Sequence, residues 1–183
     1  MSKKNVGSLG LDLSLVGTGL VIVVNGKLVA GKLIRSKPSG DLPRNELIRI
    51  RDIVGDIADF LEKHRTQLNI ACIENLAFMA RNTTALVQLS ALNYMTRALL
   101  FDHGIPFVMV APTSLKKFIT GKGNSDKNVM MMQIYKDYGH TFLDDNLADG
   151  FALAAVGTAL LEKPINKITQ AQEEVLGLLK KQI

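Results

Sequence analysis

The stretch Leu143-Asp144-Asp145-Asn146-Leu147-Ala148-Asp149-Gly150 runs straight into Phe151-Ala152-Leu153-Ala154-Ala155 and stays apolar through Val156 and Leu160. A helix built on this stretch must carry its carboxylates to the edge of a core and bury the apolar residues after them. Asp145 and Asp149 stand four apart and share one helical face, which continues as Ala152 and Val156. Two carboxylates placed where a helix meets a buried centre repel each other and lose hydration. A bound cation is the usual remedy. Taken alone, the stretch has a plainer reading: Asp144 and Asp145 cap the helix and suit its dipole, while Asp149 faces water. The rest of the chain weighs against it.

Ahead of that helix, residues 6–13 and 18–24 read as strands. Asn25-Gly26 signals a two-residue hairpin into a third strand over 27–35. Residues 44–64 place Leu47, Ile50, Ile53, Val54, Ile57 and Leu61 at helical spacing with charges between them, which predicts an amphipathic helix. Residues 69–73 form a short apolar strand ending on Glu74, the pattern of a central strand covered on both faces. Residues 105–110 predict a fifth strand. Short helices come after it over 112–119 and, capped by Ser125 or Asn124, over 125–138. The core helix over 145–161 comes next. Beyond Pro164, Ile168, Ala171, Val175 and Leu178 trace a last amphipathic helix. The expected architecture is a mixed sheet, a three-strand meander plus two further strands, flanked by helices. At 183 residues the chain suits one domain.

The helix expected over 81–103, closed by Gly104, carries no charge between Arg81 and Arg97. Leu86, Leu89, Leu92 and Leu99 form one apolar stripe, and Val87, Ala91, Tyr94, Met95 and Ala98 form another. Such a helix needs cover on two sides. The sheet supplies one, and a second copy of the chain is the expected other; the alternative cover is the C-terminal segment.

Composition excludes several classes. The net charge of +5 permits a nucleic-acid partner without demanding one. A single cysteine, Cys72, rules out a disulfide framework and a thiolate metal site and suits a reducing cytoplasm. No apolar run is long enough to span a bilayer, and no signal peptide is expected. Dinucleotide and phosphate-loop fingerprints are missing. Met130, Met131 and Met132 read as core filler. His64 and His103 sit at helix ends, and His140 is a loop residue near the acids.

Four acids then fall together. Asp12 lies near the end of the first strand and Glu74 ends the fourth. If those strands are parallel neighbours, the two side chains meet, and the last core helix brings Asp145 and Asp149 alongside. An oxygen-only set suits Mg²⁺ or Mn²⁺, and acidic clusters of this kind hold two metals in nucleases. Singly, each acid has a simpler explanation: Asp12 as a turn residue serving Ser14 and Thr18, Glu74 as a solvated strand end.

Gly10-Leu11-Asp12-Leu13-Ser14-Leu15-Val16-Gly17-Thr18-Gly19, Ile73-Glu74-Asn75-Leu76, the run from Lys116 through Gly121-Lys122-Gly123-Asn124-Ser125-Asp126-Lys127, and Asp145-Asn146-Leu147-Ala148-Asp149-Gly150 together resemble the successive motifs of RuvC-type Holliday-junction resolvases, of the ribonuclease H-like superfamily. The resemblance covers roughly residues 5–161 and looks most like phage-encoded members. It implies an α/β ribonuclease H-like fold, with residues 1–163 as the nuclease domain and 164–183 as a helical extension of it. It implies metal-binding, catalytic roles for Asp12, Glu74 and Asp149 with two Mg²⁺ ions, Mn²⁺ substituting. The expected partners are branched DNA and a second copy of the chain. The fourth ligand of cellular members falls on Asn146 here, so Asp145 is the candidate in its place, ahead of Asp144 and Asn146. Lys116 and Lys127 correspond to basic residues facing the scissile phosphate, with Lys127 supporting the transition state. Lys117 and Lys122 are expected phosphate contacts, Phe78 a wedge into the opened junction and Arg81 a backbone contact. Flaps, forks or RNA–DNA hybrids are the alternative substrates, and an inactive DNA-structure-binding protein the alternative of another class.

Overall fold

The computed structural model describes residues 5–38, 40, 42–76 and 83–183. The meander comes first, as β1 (Gly7–Asp12), β2 (Gly17–Val24) and β3 (Lys27–Arg35). Asn25 and Gly26 join β2 to β3 with φ of 50° and 78°, the two positive values that a tight hairpin of this hand requires. After the meander come α1 (Pro43–His64), β4 (Ile70–Glu74), α2 (Thr83–Asp102), β5 (Phe107–Val110), α3 (Pro112–Thr120), α4 (Lys127–Tyr138), α5 (Asp145–Leu160) and α6 (Gln170–Leu179).

The five strands form one sheet in the order β3-β2-β1-β4-β5. β1 runs antiparallel to β2 and parallel to β4, and β5 is parallel to β4. Period-two alternation sends Leu9 and Leu11 of β1, with Leu20 and Ile22 of β2, to a layer made by α1 and α2. Val21, Val23, Ile70, Cys72 and Val108 face the other layer, where α5 is central and α3, α4 and α6 surround it. Asp12 and Glu74 each lie an even number of residues from Gly10 and Cys72, so both fall on the α5 side.

α5 lies directly on β1 because glycine lets it. A Cβ on Gly10 would come within 1.9 Å of the Gly150 carbonyl oxygen, and one on Gly157 within 1.9 Å of Ser8 Oγ. From Gly150 to Leu160 every residue of α5 is buried.

Some boundaries and faces differ from expectation. α4 begins at Lys127, with Asp126 ahead of it making no side-chain cap. Ser125 turns instead to the Thr120 hydroxyl at 2.7 Å and the Lys122 carbonyl at 3.1 Å. α6 starts at Gln170 because Thr169 and Gln172 cap each other reciprocally. Its buried face is Val175, Leu176 and Leu179, while Leu178 is exposed. This face packs into the α3–α5 layer, so the C-terminal segment does not cover α2. The outer face of α2 stays open, with Val87 at 68%, Tyr94 at 64% and Phe101 at 78% exposure. Beyond α6, the Gln182 side-chain amide donates to the Met109 carbonyl and accepts from the Met109 N–H, at 3.0 and 2.9 Å. It thereby occupies part of the free edge of β5. Met130 is core, but Met132 is exposed.

Candidate active site

Asp12 ends β1 and is 8% exposed. The turn behind it closes on itself. Ser14 N–H donates to Thr18 Oγ1, the Thr18 hydroxyl returns a bond to the Ser14 carbonyl, and Ser14 Oγ accepts from Val16 N–H. Arg49 of α1 pins the same turn by donating to the Leu15 carbonyl, and to Ser36 Oγ at 2.9 Å. Asp12 is therefore not the turn's polar residue, and its carboxylate faces the acids. The Leu11–Ile73 register of the parallel β1–β4 pair sets Glu74 beside it. Asp149, in the second turn of α5, is delivered to the same end of the sheet by the Gly10–Gly150 contact. Its side chain is only 14% exposed, so it does not face water as the plainer reading had it.

The electrostatics bind these three into one unit. Burial, then the charges of Glu74 and Asp149, push Asp12 up to about 8. Burial and Asp149 push Glu74 up to about 7, with Lys127 and Lys116 opposing. Burial also raises Asp149, against the pull of Lys127. Asp145 goes the other way, because the Lys127 ammonium donates to it and holds it below the usual range. Lys127 itself loses hydration, but its hydrogen bonds to and attraction toward Asp145 and Asp149 leave it above its ordinary value. Lys127 is the first residue of α4, and its Nζ lies 2.7 Å from Asp145 Oδ2 and 3.5 Å from Asp149 Oδ2.

A set of oxygen donors that raise one another's pKa lacks positive charge, and a hard divalent cation fits that deficit. Among the described residues no three Asp, Glu, His or Cys side chains already stand as a metal-ligating group.

Asp144 is the N-cap of α5. It accepts from Asn146 N–H at 2.9 Å and Asn146 Nδ2 at 2.8 Å, and pairs with Arg35 at 2.9 Å. Asp144 and Asn146 are thus occupied with each other, while Asp145, about half exposed, reaches Lys127. Lys116 acts on Glu74 and Asp149 through its charge, and Lys122 is exposed. Lys117 points elsewhere, into an ion pair with Glu174 of α6. His140 packs edge-on against Phe151 at 5.0 Å, in an aromatic cluster rather than with the acids. Phe78 and Arg81 lie outside the described residues. A groove of about 300 Å³ opens beside Glu74, lined by Leu13, Asn75, Leu76, Leu86 and Pro112. Arg35 and Arg49 were not legible in the sequence, since their partners lie far along the chain and neither sits in a motif.

Residues 8–157 match the family model described as Crossover junction endodeoxyribonuclease RuvC. The chain belongs to the RuvC family. Its relatives include the RuvC of Synechococcus sp. (strain CC9311), 29% identical over 165 residues that cover 81% of this chain and 96% of that one. The RuvC of Brachyspira hyodysenteriae (strain ATCC 49526 / WA1) is 30% identical over 148 residues, covering 80% and 90%. Both relatives are named crossover junction endodeoxyribonucleases, the enzyme class of this family. Among solved structures, T. thermophilus RuvC in complex with Holliday junction substrate superposes with a TM-score of 0.69 at 16% identity, covering 86% of this chain and 97% of that one. That likeness concerns the fold, a five-stranded mixed sheet with helices on both faces. No helix among the described residues is long and apolar enough to cross a membrane.

Proposed function

We propose that this RuvC-family chain is a metal-dependent endonuclease that resolves four-way DNA junctions by paired symmetric nicks. The observation that carries the reading is the coupling of Asp12, Glu74 and Asp149, from three elements, into one largely buried acidic unit at the end of the sheet. Those three carboxylates would hold two Mg²⁺ ions, for which Mn²⁺ would substitute, with Asp145 as the fourth ligand. When bound, the ions supply a water activated for in-line attack and charge stabilisation for the leaving oxygen.

The protein's own part is placement. β1, β4 and α5 keep the carboxylates on one side of the scissile phosphate. Lys127 and Lys116 offer positive charge to its oxygens from α4 and α3. Lys122, on the exposed loop between those helices, contacts the DNA backbone and adds affinity without sequence information. Lys117 reaches phosphate only by leaving Glu174. Phe78 and Arg81 remain the wedge and backbone candidates. The products are 5′-phosphate and 3′-hydroxyl ends. Two cuts need two sites, and the open face of α2 carrying Val87, Tyr94 and Phe101 pairs the chain with a second copy.

The test is cleavage of a synthetic four-way junction with Mg²⁺ by the parent and by Asp12→Asn, with duplex, flap and hybrid substrates alongside. Symmetric junction nicking that Asp12→Asn loses while still binding the junction is the expected result. Preference for flaps, forks or hybrids moves the substrate and keeps the site. Junction binding with no metal-dependent cleavage of any substrate replaces the enzyme with a DNA-structure-binding protein.

A further inference from the structure

Lys127 stands in an unusual place for a residue meant only to meet phosphate. Its ammonium bridges two carboxylates of α5, 2.7 Å from Asp145 Oδ2 and 3.5 Å from Asp149 Oδ2. Those acids are four residues apart on one helical face, so one cation between them serves both. Asp145 is 49% exposed and Asp149 14%, which places the bridge across the mouth of the site. Arg35 is paired with Asp144 and Lys117 with Glu174, and Lys116 reaches Glu74 and Asp149 only through its charge. Among the described residues Lys127 alone forms ion pairs with Asp145 and Asp149.

We propose that Lys127 is the resident cation of this site: without metal its ammonium holds Asp145 and Asp149, and loading of a divalent ion expels it toward the phosphate backbone of the substrate. This rests on the metal-dependent reading above. A dication and an ammonium on the same pair of carboxylates repel each other, so binding of one disfavours the other. The Lys127 bridge ties down two of the acids that the ion needs. An exposed ion pair is weak enough to be displaced. The four-carbon stem lets the ammonium swing by several ångströms with α4 unmoved. One side chain thus links metal loading to the appearance of a free cation beside the phosphate. The competition lowers the apparent metal affinity by the fraction of molecules in which the acids are already paired.

The test is Mn²⁺ binding without DNA, by titration calorimetry, to the parent, Lys127→Met and Lys127→Arg. Lys127→Met is expected to bind Mn²⁺ roughly fivefold more tightly, and Lys127→Arg to stay near the parent. Equal or weaker binding by Lys127→Met overturns the proposal while leaving the nuclease reading intact. Failure of both parent and variants to bind Mn²⁺ overturns the metal-dependent reading and this proposal with it. A second readout needs no variant: the ¹⁵N signal of the Lys127 ammonium in the metal-free parent. It should change with Mg²⁺ along the same titration curve as ion binding, and a signal that stays unchanged at saturating Mg²⁺ also overturns the proposal.

Discussion

Burial and neighbouring acids raise Asp12 to about 8 and Glu74 to about 7, so both hold protons more tightly in the folded protein than in the unfolded chain, where values near 3.8 and 4.5 apply. A folded-state pKa above the unfolded one contributes stability that is complete below the unfolded value and disappears as pH rises through the folded value. Without metal, these two groups therefore make the protein more stable at pH 5 than at pH 8, by on the order of a few kcal/mol. Urea unfolding in a chelator at the two pH values measures this, and Mg²⁺ added at pH 8 should restore much of the loss. Asp12→Asn removes the largest single cost. It is expected to be more stable than the metal-free parent at pH 8 by roughly 1–2 kcal/mol, while junction cleavage falls at least about a hundredfold. An Asn variant no more stable than the parent at pH 8 would mean that Asp12 carries no such penalty.

The contact between β1 and α5 is what turns a sheet end and a helix start into one site. Gly10→Ala would drive a methyl into the Gly150 carbonyl, and backbone cannot yield as a side chain can. A loss of roughly 1–3 kcal/mol is expected, read as a fall in melting temperature. Junction cleavage should fall further than stability explains, because Asp149 shifts away from Asp12. Unchanged cleavage in the folded variant would show that the site tolerates a displaced α5. At the other edge of the sheet, Gln182→Ala removes both bonds to Met109. The expected cost is about 1 kcal/mol, with faster amide exchange at Met109; unaltered exchange would mean that the edge is protected by other means. Thr169 and Gln172 show what a local signal can do at this scale: the Thr-x-x-Gln spacing marks the start of α6 and corrects a phase that apolar spacing alone sets wrongly.

For the whole molecule, the proposed pairing with a second copy rests on the open face of α2. Phe101→Glu puts a charge on its most exposed large apolar side chain without touching the core beneath, where Leu92 and Leu100 are fully buried. The fold should persist, the sedimenting species should become a monomer, and paired nicks should become uncoupled single ones. A variant that still sediments as the parent does would place any dimer contact on another surface. The alternative in which the C-terminal segment covers α2 fails because the apolar face of α6, Val175, Leu176 and Leu179, is buried against α3 and α5.

Periodicity and the resemblance together sufficed for the sheet's composition, the order of its elements and the acids Asp12, Glu74 and Asp149, because each is a local signal: a strand end, a central apolar run, a helix whose carboxylates precede its core. The hairpin at Asn25-Gly26 was legible for the same reason, since φ preference belongs to the residue itself. Tertiary structure alone decided the pairings across long separations in the chain. Arg49 closing the turn behind Asp12, Arg35 reaching Asp144, Lys117 drawn away to Glu174 and Lys127 seated between Asp145 and Asp149 all depend on which elements pack together. Glycines let α5 sink onto β1, and that contact sets where Asp145 and Asp149 stand. Charge identity is written residue by residue, but charge partnership is a property of the packed chain.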